Sequence, residues 1–138
     1  MRPRIQSVSL LCSLLPERFV CGGASAVEHV LQSEQNKDIR VFVVWEPVLP
    51  TDWLAPSTAT LKRMADGRSQ QYWDRGRLFS KALGEKNKKS IVWDRVMVYG
   101  RGAIWTETAP PSPVVSVGPV VDEVEPLVAG LHEALGQR

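Results

Sequence analysis

Two cysteines are the residues of this chain with the most evident chemistry. The sequence contains Cys12 and Cys21 and no other cysteine. Gly22 and Gly23 follow Cys21 where a helix is predicted to begin, and glycine lets the backbone approach a neighbour closely. A helix N-terminus stabilises a thiolate, because free amide hydrogens and a partial positive charge point at the sulfur. The pattern predicts a reactive Cys21 thiol that forms mixed disulfides or, alternatively, a small, partly buried and inert residue.

Acidic and aromatic side chains are expected to share one edge of the sheet with Cys21. Trp45 and Glu46 end the second predicted strand. Trp93 and Asp94 belong to a later strand that is expected to run the opposite way and so to start at the same edge. Open α/β sheets bind ligands beyond the carboxyl ends of their parallel strands. We therefore expect these four residues, with Gly22 and Gly23, to form the substrate edge.

Each of these side chains also has a purely structural alternative. A carboxylate of Glu46 or Asp94 beside the thiol would relay protons, although its negative charge would raise the pKa of that thiol. The same carboxylates are equally suited to cap loops or to pair with arginines such as Arg95. Tryptophans at such positions act either as core anchors or as platforms for a ligand. The sequence leaves both sets of alternatives open.

The elements that must position these residues follow from hydrophobic periodicity. Cys12 falls in a first strand within Ile5–Leu15, and Ala24–Gln35 is patterned as a helix. The nearly continuous apolar run Ile39–Trp45 is typical of a strand buried on both faces, as in a parallel sheet. Two short helices are predicted next, at Ser57–Met64 and at Arg77–Leu83, with a short aromatic segment at Gln70–Asp74 between them.

The second half of the chain predicts a hairpin followed by a helix. Ser90–Tyr99 is patterned as a strand, Gly100–Gly102 as a tight turn, and Ala103–Glu107 as the hairpin partner. The closing helix carries Val121, Val124, Val128, Leu131 and Leu135 at helical spacing, with Pro126 tolerated in its first turn. Right-handed crossover makes the first two strands parallel. This predicts an α/β fold with a central mixed sheet of about four strands flanked by helices.

Composition and charge exclude several classes of protein. A chain of 138 residues with 43% hydrophobic and 23% charged residues is expected to form one soluble domain, residues 1–138. Its longest apolar run is too short to span a membrane. A net charge of +2, with a basic run at Lys86–Lys89 that lacks aromatics, gives no basis for nucleic-acid binding. His29 and His132 lie on different predicted helices, so we expect no metal site and no cofactor.

Several motifs resemble those of a known family. Residues 41–53 read VFVVWEPVLPTDW, residues 71–74 read QYWD, and IVWD at 91–94 leads into VMVYGRGA at 96–103. With the order of elements, these motifs are similar to bacterial thioredoxin-like proteins of poorly defined function, over Cys21–Leu135. The resemblance implies a thioredoxin fold, thiol–disulfide chemistry at a helix start, and glutathione or a protein thiol as partner.

The chain departs from this family at its reactive motif. The family places a Cys-x-x-Cys pair at the helix start, and this chain has Cys21-Gly-Gly-Ala24. Either Ala24 replaces the second cysteine or Arg18 replaces the first, and Cys12 in the first strand repairs neither arrangement. The family also places a proline before the third core strand, near Asp94, where this chain has none. We therefore expect a monothiol redox protein acting through Cys21 or, alternatively, a catalytically degenerate domain used for binding.

The resemblance ends before Cys21, which makes residues 1–20 an atypical segment. The basic residues of Met1–Arg4 and the apolar run after them are similar to a secretory signal. Serines dilute that run, and Pro16–Arg18 stands where a cleavage site would be. We therefore expect a first strand and a cytoplasmic protein. Alternatively, a misassigned start or an altered reading frame has put Met1–Val20 in place of the native first strand.

Overall fold

The computed structural model describes residues 7–14, 22–47, 55–82, 94–106 and 111–136. Within these ranges the strands are β1 (Val8–Leu14), β2 (Ile39–Trp45), β3 (Ser69–Trp73), β4 (Arg95–Tyr99) and β5 (Val115–Val117). The helices are α1 (Gly22–Ser33), α2 (Thr58–Leu61), α3 (Leu78–Ala82) and α4 (Val124–Ala134), and a single 3-10 turn covers Val120–Asp122.

The strands form one mixed sheet in the order β3-β2-β1-β4-β5. β1 is parallel to β2, and β2 is parallel to β3. β4 is antiparallel to β1, and β5 is antiparallel to β4. Cys12 lies at the centre of the sheet, where it pairs with Val43 on one side and Val96 on the other. The predicted α/β class, the mixed sheet and the parallel first pair of strands are confirmed.

The described sheet has five strands, one more than the sequence predicted. The additional strand is β3, which the sequence pattern marked only as a short aromatic segment. Its alternate residues Ser69, Gln71 and Trp73 are half-buried, whereas Gln70 and Tyr72 are exposed. A strand at the edge of a sheet has polar residues on both faces, which hides the alternation of apolar and polar residues on which the prediction depends.

The predicted hairpin partner Ala103–Glu107 is wrong. Residues 103–106 form no strand, and β5 pairs with β4 instead. After the turn at Gly102 the chain crosses to the face of the sheet, where the Trp105 ring packs 5.8 Å from the Tyr99 ring. The Trp105 ring keeps 43% of its surface exposed but contacts both the Tyr99 and the Phe79 rings, and these tertiary contacts override the local hairpin pattern.

One face of the sheet carries the main core. Side chains at alternate positions of β1, β2 and β4 pack against the apolar sides of α1 and α4. The buried residues include Leu10, Val27, Leu31, Val41, Val43, Val98, Leu127 and Leu131. The interior of this face therefore comes from both halves of the chain, and it fixes α1 against the sheet.

The helices differ from their predicted bounds by small amounts. α1 begins at Gly22 and ends at Ser33, two residues earlier at each end than expected. The closing helix begins at Val124 with Pro126 in its first turn, as predicted. Val121 lies in the 3-10 turn and is 56% exposed, so its assignment to the buried helix face is wrong. α2 is shorter than the predicted Ser57–Met64, and α3 begins one residue after the predicted Arg77, whereas its predicted end at Leu83 lies outside the described residues.

The described helices include none that is both long and apolar enough to cross a membrane. His29 is exposed, and His132 is half-exposed with its Nε2 3.5 Å from Glu34 Oε2. Within the described ranges, no three metal-ligating side chains cluster together.

Candidate functional site at the carboxyl edge of the parallel strands

The candidate site lies where β1 and β2 end. Leu14 and Trp45 are paired at the ends of these strands, and the Glu46 amide donates a hydrogen bond to the Leu14 carbonyl at 3.0 Å. β4 runs in the opposite direction, so Asp94 directly before it lies at the same edge. Gly23 in the first turn of α1 completes the group.

Two of the predicted site residues, Cys21 and Trp93, lie outside the described residues. Each is bonded to a described residue, Cys21 to Gly22 and Trp93 to Asp94. Gly22 is the first residue of α1. The chain therefore enters the first turn of this helix directly from Cys21.

Gly23 is required at its position by close packing. A Cβ atom there would lie 2.7 Å from Asp94 Oδ1 and 3.2 Å from Leu14 Cδ2. Carbon atoms in ordinary contact stay about 3.5–4.0 Å apart. The absent side chain thus lets the Asp94 carboxylate reach the first turn of α1.

Asp94 connects α1 to the 3-10 turn. Its φ of 51° is left-handed, a conformation in which aspartate and asparagine are enriched. Its Oδ1 accepts a hydrogen bond from the Val120 amide at 3.4 Å, and its carbonyl oxygen packs where Gly118 lacks a Cβ. The Arg95 guanidinium donates to Ser116 Oγ at 3.2 and 3.3 Å. Asp94 thus has the loop-capping contact that was one of its two expected roles.

The electrostatic environment of Asp94 disfavours its charge. Burial raises the pKa of its carboxyl, the Val120 hydrogen bond lowers it, and the negative charge of Asp122 raises it further. The net direction is upward. A carboxyl with a raised pKa takes up a proton more readily than an ordinary aspartate, which is a property of proton-transfer groups.

Trp45 and Glu46 are buried below the edge. Trp45 is 1% exposed, and its Nε1 donates to Gln71 Oε1 at 2.9 Å, with Trp73 packed against the same core. This is the geometry of a core anchor, since no surface of the ring is available to a ligand. Glu46 is fully buried at the end of β2.

Cys12 contributes no reactive thiol to the site. It is fully buried in the middle of β1, and burial raises the pKa of its thiol to about 12. The thiolate is the nucleophile, so a thiol that stays protonated at neutral pH is inert. Cys21 is therefore the remaining cysteine for thiol chemistry.

One part of the site was missed in the sequence. Gly118, Pro119 and Val120 follow β5, with a cis peptide bond between Gly118 and Pro119. The Val120 amide donates the hydrogen bond that Asp94 Oδ1 accepts, and Gly118, which has no side chain, leaves space beside the Asp94 carbonyl oxygen. A Gly-Pro pair directly after a short apolar run is a turn signal that would have marked this segment. Before β4, where the resemblance implies a proline, the chain has Asp94.

Comparison with solved structures identifies the fold. The chain is similar to a thioredoxin-like protein solved in solution in its oxidized form, with a TM-score of 0.58 and 14% sequence identity, covering 96% of this chain and 81% of that one. It is also similar to the thioredoxin domain of a thiol-disulfide oxidoreductase from Bacteroides vulgatus, with a TM-score of 0.48 and 8% identity, covering 89% and 80% of the two chains. No family model and no curated protein matches the sequence. The first likeness and the sheet order show a thioredoxin-like fold, as predicted.

Proposed function

We propose that this protein is a thioredoxin-like redox protein that works through the single thiol of Cys21. The observation that supports it is the start of α1 at Gly22, the residue bonded to Cys21, at the carboxyl edge of the parallel strands. A helix of twelve residues presents free amide hydrogens and a partial positive charge at that end, which lowers the pKa of a nearby thiol.

The proposed reaction is thiol–disulfide exchange. The Cys21 thiolate attacks one sulfur of a disulfide, such as oxidised glutathione or a protein disulfide, and forms a mixed disulfide. The other sulfur leaves as a thiolate and takes a proton from water. The thiolate of reduced glutathione then attacks the partner's sulfur in the mixed disulfide, forms a new disulfide with it and releases Cys21 as a thiolate. The proposal includes a cytoplasmic location, where glutathione is the abundant thiol.

The buried second cysteine explains why an external thiol is needed. A dithiol protein resolves its mixed disulfide with a neighbouring cysteine, and Ala24 occupies that position if Cys21 is the attacking residue. Cys12 is fully buried and pairs with Val43 and Val96 inside the sheet, so it cannot reach a disulfide at the edge without unfolding β1.

The test is the pH dependence of alkylation by iodoacetamide, followed by mass spectrometry. In wild type and in Cys12→Ala, one thiol is expected to be alkylated rapidly, and the pH dependence should give Cys21 an apparent pKa below the free value of about 8.5. Cys21→Ser is expected to stay unmodified while it is folded. Incubation with oxidised glutathione should add one glutathione to wild type and none to Cys21→Ser. An apparent pKa of Cys21 at or above about 8.5 would contradict the proposal.

The second candidate is a catalytically degenerate domain that binds a partner at this edge. Asp94 favours it, because a carboxylate against the first turn of α1 opposes the formation of a second negative charge on a thiolate at that helix start. On this alternative, Cys21→Ser keeps the biological activity of the protein and Asp94→Asn changes it. Loss of activity in Cys21→Ser alone would exclude the binding role.

A further inference from the structure

The sheet face opposite the main core contains an apolar cavity. Its volume is about 390 Å³, within the range of about 300–1,000 Å³ that is usual for small-molecule sites. Leu11 of β1 and Phe42 and Val44 of β2 form its floor. Side chains alternate along a strand, so these residues point away from Cys12 and Val43, which face the main core.

Aromatic side chains form the walls of this cavity. Trp105 packs against Phe79 of α3 with ring centroids 6.4 Å apart, and edge-on against Tyr99 at 5.8 Å. These contacts hold residues 103–106 as one wall, and Tyr72 of β3 stands opposite. The cavity is therefore built from the four strands β1 to β4, from α3 and from the segment 103–106.

The rim of the cavity exposes large apolar side chains to solvent. Tyr72 is 50% exposed and Trp105 is 43% exposed, and their neighbours Leu78 and Ile104 are exposed by 72% and 73%. Clustered apolar exposure around a concave site is typical of a binding surface, whereas single exposed apolar residues are ordinary.

The lining determines the class of ligand. Among the described residues that line the cavity none is charged, and their polar side-chain groups are the hydroxyls of Ser9, Tyr72 and Tyr99. The Tyr72 hydroxyl donates to Gln70 Oε1 at 2.8 Å, and the Tyr99 hydroxyl donates to Met97 Sδ at 3.6 Å. A charged ligand would lose its hydration there without gaining a counter-charge.

We propose that this cavity binds a neutral, largely apolar small molecule of two or three rings, with the Ser9 hydroxyl available for one hydrogen bond. Aromatic walls favour ring stacking, and the uncharged side chains of the described lining favour a neutral ligand. The cavity lies on a face of the sheet and the Cys21 site at its edge, so the proposal does not depend on the thiol chemistry. Cys21→Ser is expected to bind the same molecules equally well.

Two fluorescent probes with one skeleton test the proposal. N-phenyl-1-naphthylamine is neutral, and 8-anilino-1-naphthalenesulfonate adds a sulfonate to the same rings. We expect the neutral probe to bind with a dissociation constant on the order of 10 µM, the affinity ordinary for a ligand of that size. The sulfonate should bind at least about ten-fold more weakly. Equal binding of the two probes, or no binding of the neutral one, would overturn the proposal.

Two cavity variants and a matched control locate the binding. Ala103→Trp fills the cavity from its wall, and Tyr72→Glu places a charge at its exposed rim. Each should weaken the neutral probe at least about ten-fold, since one removes volume and the other introduces an unpaired charge. Ala129→Trp makes the same substitution at an exposed position of α4 and should leave binding unchanged.

Circular dichroism shows whether each variant is folded. If Ala103→Trp does not fold, the rim variant Tyr72→Glu serves as the test. Unchanged probe binding in folded cavity variants would place the site elsewhere. The other occupant to distinguish is a second copy of this chain. A dimer in sedimentation that Trp105→Glu converts to monomer, with no probe binding to either form, would replace the small-molecule proposal.

Discussion

At its N-terminal end α1 meets the carboxylate of Asp94, and at its C-terminal end it meets the guanidinium of Arg68. Both charges have the sign that the helix dipole favours. Arg68 Nη1 donates to the carbonyls of Glu34 at 2.7 Å and Asn36 at 2.8 Å, and its Nη2 donates to the Leu31 carbonyl at 2.7 Å. The Leu31 carbonyl belongs to the last turn of α1, where the helix leaves carbonyls without an intrahelical donor, and the Glu34 and Asn36 carbonyls belong to the loop that follows.

The two ends differ in how their carboxylates are compensated. Asp66 accepts two hydrogen bonds from the Arg68 guanidinium, at 2.9 Å from Nε and 2.8 Å from Nη2. The Arg68 side chain therefore holds the pKa of Asp66 below its usual range. Asp94 has one long bond from the Val120 amide, and burial raises its pKa. The same residue type thus shifts in opposite directions at the two ends.

This difference indicates that the C-terminal end of α1 serves stability, whereas the N-terminal end belongs to the candidate site. At the C-terminal end charges, donors and acceptors are matched, which is the arrangement expected where only stability is required. At the N-terminal end the close contact of Gly23, the left-handed φ of Asp94 and the raised pKa of its carboxyl lie together at the first turn of α1, which follows Cys21 in the sequence. Close packing contacts, unusual backbone angles and shifted pKa values of this kind are more frequent at functional sites than elsewhere in proteins.

The largest effect is expected from removing the arginine at the C-terminal end. Arg68→Met keeps an apolar stem and removes the guanidinium that donates to three carbonyls and to the Asp66 carboxylate. The free energy of unfolding should fall by about 3 kcal/mol, measured by urea denaturation. Arg75→Met, at an exposed position, is the control and should change it by less than about 0.5 kcal/mol. Equal effects of the two variants would show that the contacts of Arg68 contribute nothing.

A smaller loss is expected from Asp66→Asn, about 1–2 kcal/mol at pH 7, because two charge-assisted bonds become weaker. The pKa of Asp66 is lower in the folded than in the unfolded state. Its stabilising effect is therefore present above the unfolded pKa of about 3.9 and is lost as the pH falls through the folded pKa. Urea titrations from pH 7 to pH 2 should show the difference between wild type and variant shrinking in acid. A constant difference would contradict this linkage.

At the other end, Gly23→Ala is expected to cost about 1 kcal/mol, because the clash with Asp94 and Leu14 outweighs the better helix propensity of alanine. Asp94→Gly removes the carboxylate and tolerates a positive φ, so Gly23→Ala should cost less in that background. Gly67→Ala, where a Cβ would meet nothing within 4 Å, is the control. Additive effects of Gly23→Ala and Asp94→Gly would show that the two residues do not interact.

The fold was predictable where the pattern of apolar residues is strong, and the site only in part. The run Ile39–Trp45 identified β2, and the glycines after Cys21 marked the start of α1. The packing of Trp105 across the sheet and the contact between Asp94 and Val120 join residues distant in sequence. No local pattern encodes such contacts, because they depend on how complete elements pack together.

The same limit applies to Arg68. In the sequence it is one polar residue before a short aromatic segment. Only the folded chain brings the loop before β3, and with it the Arg68 guanidinium, to the carbonyls of Leu31, Glu34 and Asn36. The apolar cavity was missed for a related reason. Phe42 and Val44 were assigned to a strand buried on both faces, and Val44 is indeed buried, but Phe42 is only partly buried and both side chains line the cavity.

The smallest effect is expected from Asp94→Asn, which keeps the shape of the side chain, an acceptor for the Val120 amide and tolerance of a positive φ. The pKa of Asp94 is higher in the folded than in the unfolded state, so its ionisation destabilises the fold as the pH rises through the unfolded and then the folded pKa. The variant should therefore be more stable than wild type at pH 7, by only about 0.5 kcal/mol because water screens a partly exposed group. Below about pH 3, where Asp94 is protonated in both states, the two should be equally stable. Urea denaturation at the two pH values measures this difference in stability. If wild type is instead more stable than the variant at pH 7, the charge of Asp94 stabilises its end of the helix, as the charge of Asp66 does at the other.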